Sequence, residues 1–175
     1  MLDFMVISLP RSGSTWAANW LTTEHVFCKH DPLYAMHYED FDSKIISNAK
    51  VNGVSCTGLW RWAGWVNNHP AKKLILRRDF SEIEQSMREI GFPALDDDAE
   101  RQIGRIRGPH VDFKALFDPA EAKEIWKYLV GTKFDEYRHR ELVDIEMQPK
   151  FIGLKINPEA TRRLVNEIHS ALMES

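Results

Sequence analysis

Six residues near the start of the chain carry the side chains that hold an oxyanion. Pro10 to Thr15 reads Pro-Arg-Ser-Gly-Ser-Thr, with one cation, one glycine and three hydroxyls. Arg11 supplies a full positive charge that pairs well with an anionic oxygen. Gly13 lets the backbone approach closely, and Ser12, Ser14 and Thr15 offer hydroxyl donors. The stretch follows a short apolar run, Phe4–Leu9, and leads into Trp16, Trp20 and Leu21 at helical spacing. A strand that turns into a helix aims free N–H groups and the positive end of the helix dipole at one point, which suits an anion. The plainer alternative is a polar turn in which Thr15 only caps the helix.

The ATP-type loop has the form G-x-x-x-x-G-K-[ST], where lysine reaches the terminal phosphates. With Gly13 on the second glycine, Ser8 falls on the first and Ser14 on the lysine. Both defining positions differ, which disfavours an ATPase or an ordinary kinase. A second cluster lies in "LILRRDFSEIEQSM", where Arg78 closes a strand-like run and Ser86 follows on a helix-like one. An arginine at the carboxyl end of a parallel strand sits where such sheets bind ligands. Ser86 can converge on the same oxyanion, while Arg77 should point to the opposite face because strand side chains alternate.

"LPRSGSTW" resembles the 5′-phosphosulfate loop of the P-loop sulfotransferase family, P-[KR]-S-G-[ST]-T-x. The same family carries a strand ending in arginine and then a serine eight residues later, as Arg78 and Ser86 stand here. The resemblance covers about residues 1–90. It implies an α/β chain with a three-layer P-loop NTPase-like fold and a mostly parallel central sheet flanked by helices. It implies sulfuryl transfer from 3′-phosphoadenosine 5′-phosphosulfate (PAPS) to a hydroxyl or amine acceptor, with no metal. Arg11, Ser12, Gly13, Ser14, Thr15 and Trp16 would hold the 5′-phosphosulfate, and Arg78 and Ser86 the 3′-phosphate. Phe80 stands where the family often has proline. A late Arg-Lys-Gly loop is missing, with Lys155 its nearest substitute.

Sulfuryl transfer resembles phosphoryl transfer, an in-line displacement that depends on positioning and charge neutralisation. Arg11 is expected to act in catalysis by stabilising charge on the leaving group. The acceptor needs a general base within hydrogen-bond reach. His30 is the first candidate and its neighbour Asp31 the second; His37, Glu39 and His69 stand behind them. Two other readings remain: a nucleotide- or phosphate-binding P-loop protein without sulfuryl transfer, and a divergent nucleotide kinase.

The elements that must position these residues alternate in type. Strands are expected at Phe4–Leu9, Gly53–Cys56, Lys73–Arg78 and Phe151–Ile156. Helices are expected at 14–23, Leu59–Asn68, Ser81–Ile90, Ala99–Arg107, Pro119–Val130, Thr132–Val143 and Pro158–Met173, with an irregular stretch from His25 to Asn52. Strand–helix alternation points to a parallel sheet covered on both faces. Trp60, Trp62 and Trp65 fit a core better than an adenine or acceptor pocket. Asp96–Asp98 lacks partners for a metal shell. The 175 residues suit one domain spanning 1–175. A net charge of −3 argues against nucleic acid as a partner. Cys28 and Cys56 lack metal spacing and read as free thiols of a reducing compartment. No apolar run reaches membrane-spanning length. The expectation is a cytoplasmic protein acting on a small-molecule or exposed acceptor, away from membranes.

Overall fold

Every residue of Phe4–Ser8 is buried, as a strand covered on both faces requires. The computed structural model describes residues 1–45 and 47–145. This segment is β1, and α1 (Ser14–Leu21) follows it directly. Next come β2 (Val26–His30), two short 3₁₀ turns, α2 (Phe41–Lys44) and β3 (Val51–Cys56). A 3₁₀ turn at Leu59–Trp62 then leads into α3 (Ala63–Asn68), β4 (Lys72–Arg77) and α4 (Phe80–Glu89). The chain continues through α5 (Ala99–Gly104), β5 (His110–Asp112), a 3₁₀ turn at Phe113–Leu116, α6 (Pro119–Leu129) and α7 (Glu136–Val143). The expected strand Phe151–Ile156 and helix Pro158–Met173 lie outside the described residues.

The protein is an α/β chain with a five-stranded, all-parallel sheet in the order β2-β3-β1-β4-β5. Both strands expected to carry the site, β1 and β4, are interior. Side-chain alternation along β1 splits the core. Met5 and Ile7 pack on one face with α2, α3, α4 and α5, while Phe4 and Val6 pack on the other with α1 and α6. The chain leaves β1 toward the β2 edge and leaves β4 toward the β5 edge. Two neighbouring strands whose connections diverge open a crevice at their carboxyl ends, where parallel sheets take ligands.

Several boundaries differ from the sequence reading. Val26–His30 is a strand inside the stretch read as irregular; as an edge strand of five residues it lacks the continuous apolar run that marked β1. The aromatic segment 59–68 breaks into a 3₁₀ turn and a short helix rather than one helix. α4 starts at Phe80, one residue before the expected Ser81, because Asp79 caps it: its carboxylate accepts from the N–H groups of Ser81 and Glu82 at 2.9 and 3.2 Å. An ionised cap at the dipole's positive end binds more strongly than a hydroxyl. Both cysteines are free and buried, and burial pushes the Cys56 thiol up to about 12. Among the described residues no helix is long and apolar enough to cross a membrane.

Gly53 of β3 lies directly beneath the Phe4 ring, and a Cβ there would sit 2.3 Å from it. Gly53→Ala should therefore cost about 1–3 kcal/mol, the usual range for overpacking. Urea unfolding of Gly53→Ala, Phe4→Leu and the double variant should show the two losses to be strongly non-additive. Additive losses would mean that the contact does not set the β1–β3 packing.

Candidate active site

The residues between β1 and α1 take backbone conformations that turn N–H groups outward. Arg11 and Gly13 have φ of 62° and 83°, in the left-handed region. Gly13 occupies the N-cap position of α1, and no side chain caps that helix. Thr15 lies inside the first turn and therefore does not act as the cap. Among the described residues, the backbone N–H groups of Ser12, Gly13, Ser14, Thr15 and Trp16 have no acceptor. Consecutive free N–H groups at a helix start form an anion-binding concavity. Ser12 is fully buried, and its hydroxyl donates to the Pro10 carbonyl at 3.3 Å, bracing the loop from inside.

Two arginines enclose this loop from the β4 side. Arg78 stands one residue past β4 and donates from Nη1 to the Arg11 carbonyl at 2.6 Å. Its Nε donates to Glu82 at 2.9 Å, and its guanidinium lies 5.0 Å from the Phe113 ring centre. Arg11 donates from Nε to Ser86 Oγ at 2.9 Å. Arg78 and Ser86 thus belong to one cluster, joined through Arg11 rather than meeting directly. Burial, and then the Arg78 charge, hold Arg11 below its ordinary range. A guanidinium stays protonated regardless, so the pair concentrates positive charge that an anion would relieve. Arg77 points to the other face, 3.8 Å from Glu100 of α5.

On the opposite side of the loop, His30 ends β2 and Asp31 follows with a φ of 40°. Asp31 Oδ1 accepts from the Thr57 N–H at 2.6 Å and from Thr57 Oγ1 at 3.0 Å. Its Oδ2 lies 3.3 Å from His30 Nε2. The same nitrogen is 3.2 Å from Ser14 Oγ and 3.3 Å from Thr15 Oγ1. An ionised carboxylate only accepts, which places a hydrogen on Nε2 and turns a donor toward the loop. His30 and Asp31 therefore form an acid–base pair at the loop, with Asp31 as its fixed acceptor. Thr57, at the carboxyl end of β3, was not singled out in the sequence. Its position just past a strand was the available signal, as it was for Asp31.

A cleft of about 500 Å³ opens beside Arg11, Ser14, Thr15, His30 and Asp31. Trp60 and Trp62 line its far wall, while Trp65 packs on Tyr38 and His69. Trp16 is 5% exposed and packs at an angle against Trp20, Phe117 and His139, so only its backbone N–H is available to a ligand. His37 pairs with Glu39 at the surface, at 3.4 Å. His69 is a buried clasp on Asp42, at 3.0 Å. Neither lines the cleft. Among the described residues no group of His, Cys, Asp or Glu is placed to hold a metal. Lys155 lies outside the described residues. No family model, curated protein or solved structure matches the chain, so its own geometry carries the functional reading.

At Gly13 a methyl group would meet only ordinary contacts, the nearest Leu116 Cδ1 at 3.4 Å, so the backbone conformation is what a substitution strains. Gly13→Ala should cost about 1–2 kcal/mol for a left-handed residue. Phosphate should raise the melting temperature of the wild type, and less so that of Gly13→Ala. An unchanged phosphate response would show that the loop N–H groups are not the anion site.

Proposed function

We propose that the protein is a sulfuryl transferase that uses PAPS, built on a P-loop NTPase-like fold. The supporting observation is the loop of unpartnered N–H groups at the sheet's switch point, with two arginines on one side and an acid–base pair on the other. An ATP-type loop would put a lysine at position 14. Here Ser14 frees that position to contact His30, and the cation comes from Arg11. The buried free thiols of Cys28 and Cys56 fit a cytoplasmic setting.

PAPS would supply an activated sulfuryl group on a 5′-phosphate. The loop N–H groups and Arg11 suit its phosphosulfate oxygens. Arg78 and Ser86 suit the 3′-phosphate once they exchange their present partners, Glu82 and Arg11. The acceptor oxygen bonds to sulfur while the bond from sulfur to the bridging oxygen breaks. The electron pair departs with the 5′-phosphate, next to Arg11. The acceptor's proton would pass to the Asp31 carboxylate, the member of the pair that still accepts at the cleft, and His30 Nε2–H can donate to Asp31 or to the group in flight. In such reactions most of the lowering of the barrier usually comes from donors and charges fixed in place beforehand, as these are.

A second reading is phosphate or nucleotide binding without transfer, which the loop N–H groups and the two arginines would serve equally well. Thermal shift separates the readings. Adenosine 3′,5′-bisphosphate should raise the melting temperature and ATP with magnesium should not; the reverse would favour a kinase. Arg11→Ala should lower kcat more than donor affinity, because it faces charge that develops in the transition state. Arg78→Ala should weaken donors bearing a 3′-phosphate more than those without it, both losing the bond that steadies the loop. Equal effects on both donor types would remove Arg78 from the 3′-phosphate.

For the acid–base pair, His30→Ala and Asp31→Asn should each lower turnover by about 10²–10⁴-fold with donor binding nearly intact. His37→Ala should leave turnover close to that of the wild type. Near-normal rates in both site variants would move the base elsewhere.

A further inference from the structure

One nitrogen of the site has more oxygen around it than a hydrogen bond needs. His30 Nε2 lies 3.2 Å from Ser14 Oγ, 3.3 Å from Thr15 Oγ1 and 3.3 Å from Asp31 Oδ2. Its one hydrogen serves a single oxygen well and three poorly. A magnesium ion, by contrast, takes several oxygens at once. The contacts here are longer than metal–oxygen bonds, as N–H···O contacts are, but they likewise share one positive centre.

The residue types match as well. In ATP-type loops the hydroxyl after the lysine and an aspartate from another strand hold magnesium against the phosphate oxygens. With Gly13 on the loop's second glycine, Thr15 takes that hydroxyl position, and Asp31 brings a carboxylate from the end of β2. Asp31 Oδ1 is committed to Thr57, which leaves Oδ2 toward Nε2. The Asp31 side chain is 10% exposed, and a charge that far from water needs a positive partner. Among the described residues no lysine or arginine pairs with it, and His30 is the group that does. The Ser55 bond to the Ser14 carbonyl and the pairing of His30 with Ser55 across β2 and β3 keep the two sides at this separation.

We propose that His30 stands where an ATP-type site holds its divalent cation, and that it grips the group in transit rather than acting as the base. This assignment rests on the sulfuryl-transfer reading and gives His30 its part in it. The acceptor oxygen bonds to sulfur while the bond from sulfur to the bridging oxygen of PAPS breaks. The electron pair leaves with the 5′-phosphate beside Arg11, and the acceptor's proton goes to Asp31. Nε2–H turns from the loop hydroxyls to a sulfuryl oxygen as this happens. The exchange of metal for imidazole suits the cargo: a sulfuryl group carries a single negative charge in its ester, where a terminal phosphate carries about two.

The test turns the position back into a metal site. His30→Asp sets a second carboxylate beside Asp31 Oδ2 and the two hydroxyls, a set of oxygens that suits manganese. The His30 side chain is 37% exposed, so its replacement leaves the core untouched; His30→Ala is carried alongside as a second folded variant. Calorimetric titration with Mn²⁺ should find a site in His30→Asp about tenfold tighter or more than any in the wild type, weakened again when Thr15→Val is added. Transfer from PAPS to a panel of alcohols, phenols and amines is assayed with and without Mn²⁺. His30→Asp and His30→Ala should be about 10²-fold slower than the wild type or worse without metal. Mn²⁺ should restore His30→Asp by about tenfold or more and leave the wild type unmoved. The new Mn²⁺ site without transfer in any protein, wild type included, supports the cation position and overturns the sulfuryl-transfer reading. No gain in Mn²⁺ affinity, a gain that survives Thr15→Val, or transfer by His30→Asp that metal does not raise overturns the assignment even where the wild type transfers.

Discussion

The bond from Arg78 to the Arg11 carbonyl joins the two central strands at the point where the sheet opens to ligand. Without it, the loop after β1 and the turn after β4 would be separate surface features. With it, the left-handed backbone of Arg11 is tied to an anchored side chain. Two guanidinium groups placed this close repel each other, and the structure offsets that repulsion with Glu82, Ser86 and the Phe113 ring. None of these partners is strong. Glu82 is 44% exposed, and ion pairs in that setting contribute about 0–1 kcal/mol.

The other half of the site depends on a similar constraint at the end of β2. Asp31 holds a left-handed conformation that a non-glycine residue rarely adopts, and two bonds from Thr57 keep its carboxylate in place. Because β2 and β3 are hydrogen-bonded neighbours, with His30 opposite Ser55, Thr57 lies within reach. Ser55 adds a bond from its hydroxyl to the Ser14 carbonyl at 2.9 Å. The sheet register thus sets the distance between the acid–base pair and the loop.

How much of this the sequence revealed depended on how local each signal was. The loop and β1 were legible because the apolar run, the glycine and the hydroxyls are contiguous. Arg78 and Ser86 were legible as neighbours of the loop, since a strand end and the next helix point the same way. Their link through Arg11 was not, because a contact across 67 or 75 residues leaves no trace in spacing. β2 was missed because an edge strand needs one buried face and shows no continuous apolar run. The D-x-x-E pattern from Asp79 to Glu82 marks the start of α4, and Glu82 then falls four residues from Arg78. The cleft was invisible for a different reason: Trp62 and Phe92 line it from two separate segments, the turn before α3 and the loop after α4, which no local spacing relates.

The weakness of the arginine contacts bears on what the site is for. A charge-assisted bond to an anion contributes roughly 1.5–3 kcal/mol, more than an exposed ion pair returns. On the proposed reading, an entering phosphate would gain by displacing Glu82 from Arg78 and Ser86 from Arg11. The present partners already restrict both side chains, so little further rotamer freedom would be lost on binding such a ligand. Permanent structural arginines are usually locked by buried, fully paired carboxylates. Here the partners are a half-exposed glutamate, a serine hydroxyl, an aromatic face and a backbone carbonyl. Of these, only the carbonyl bond fixes the loop, and it can stay intact while the others exchange.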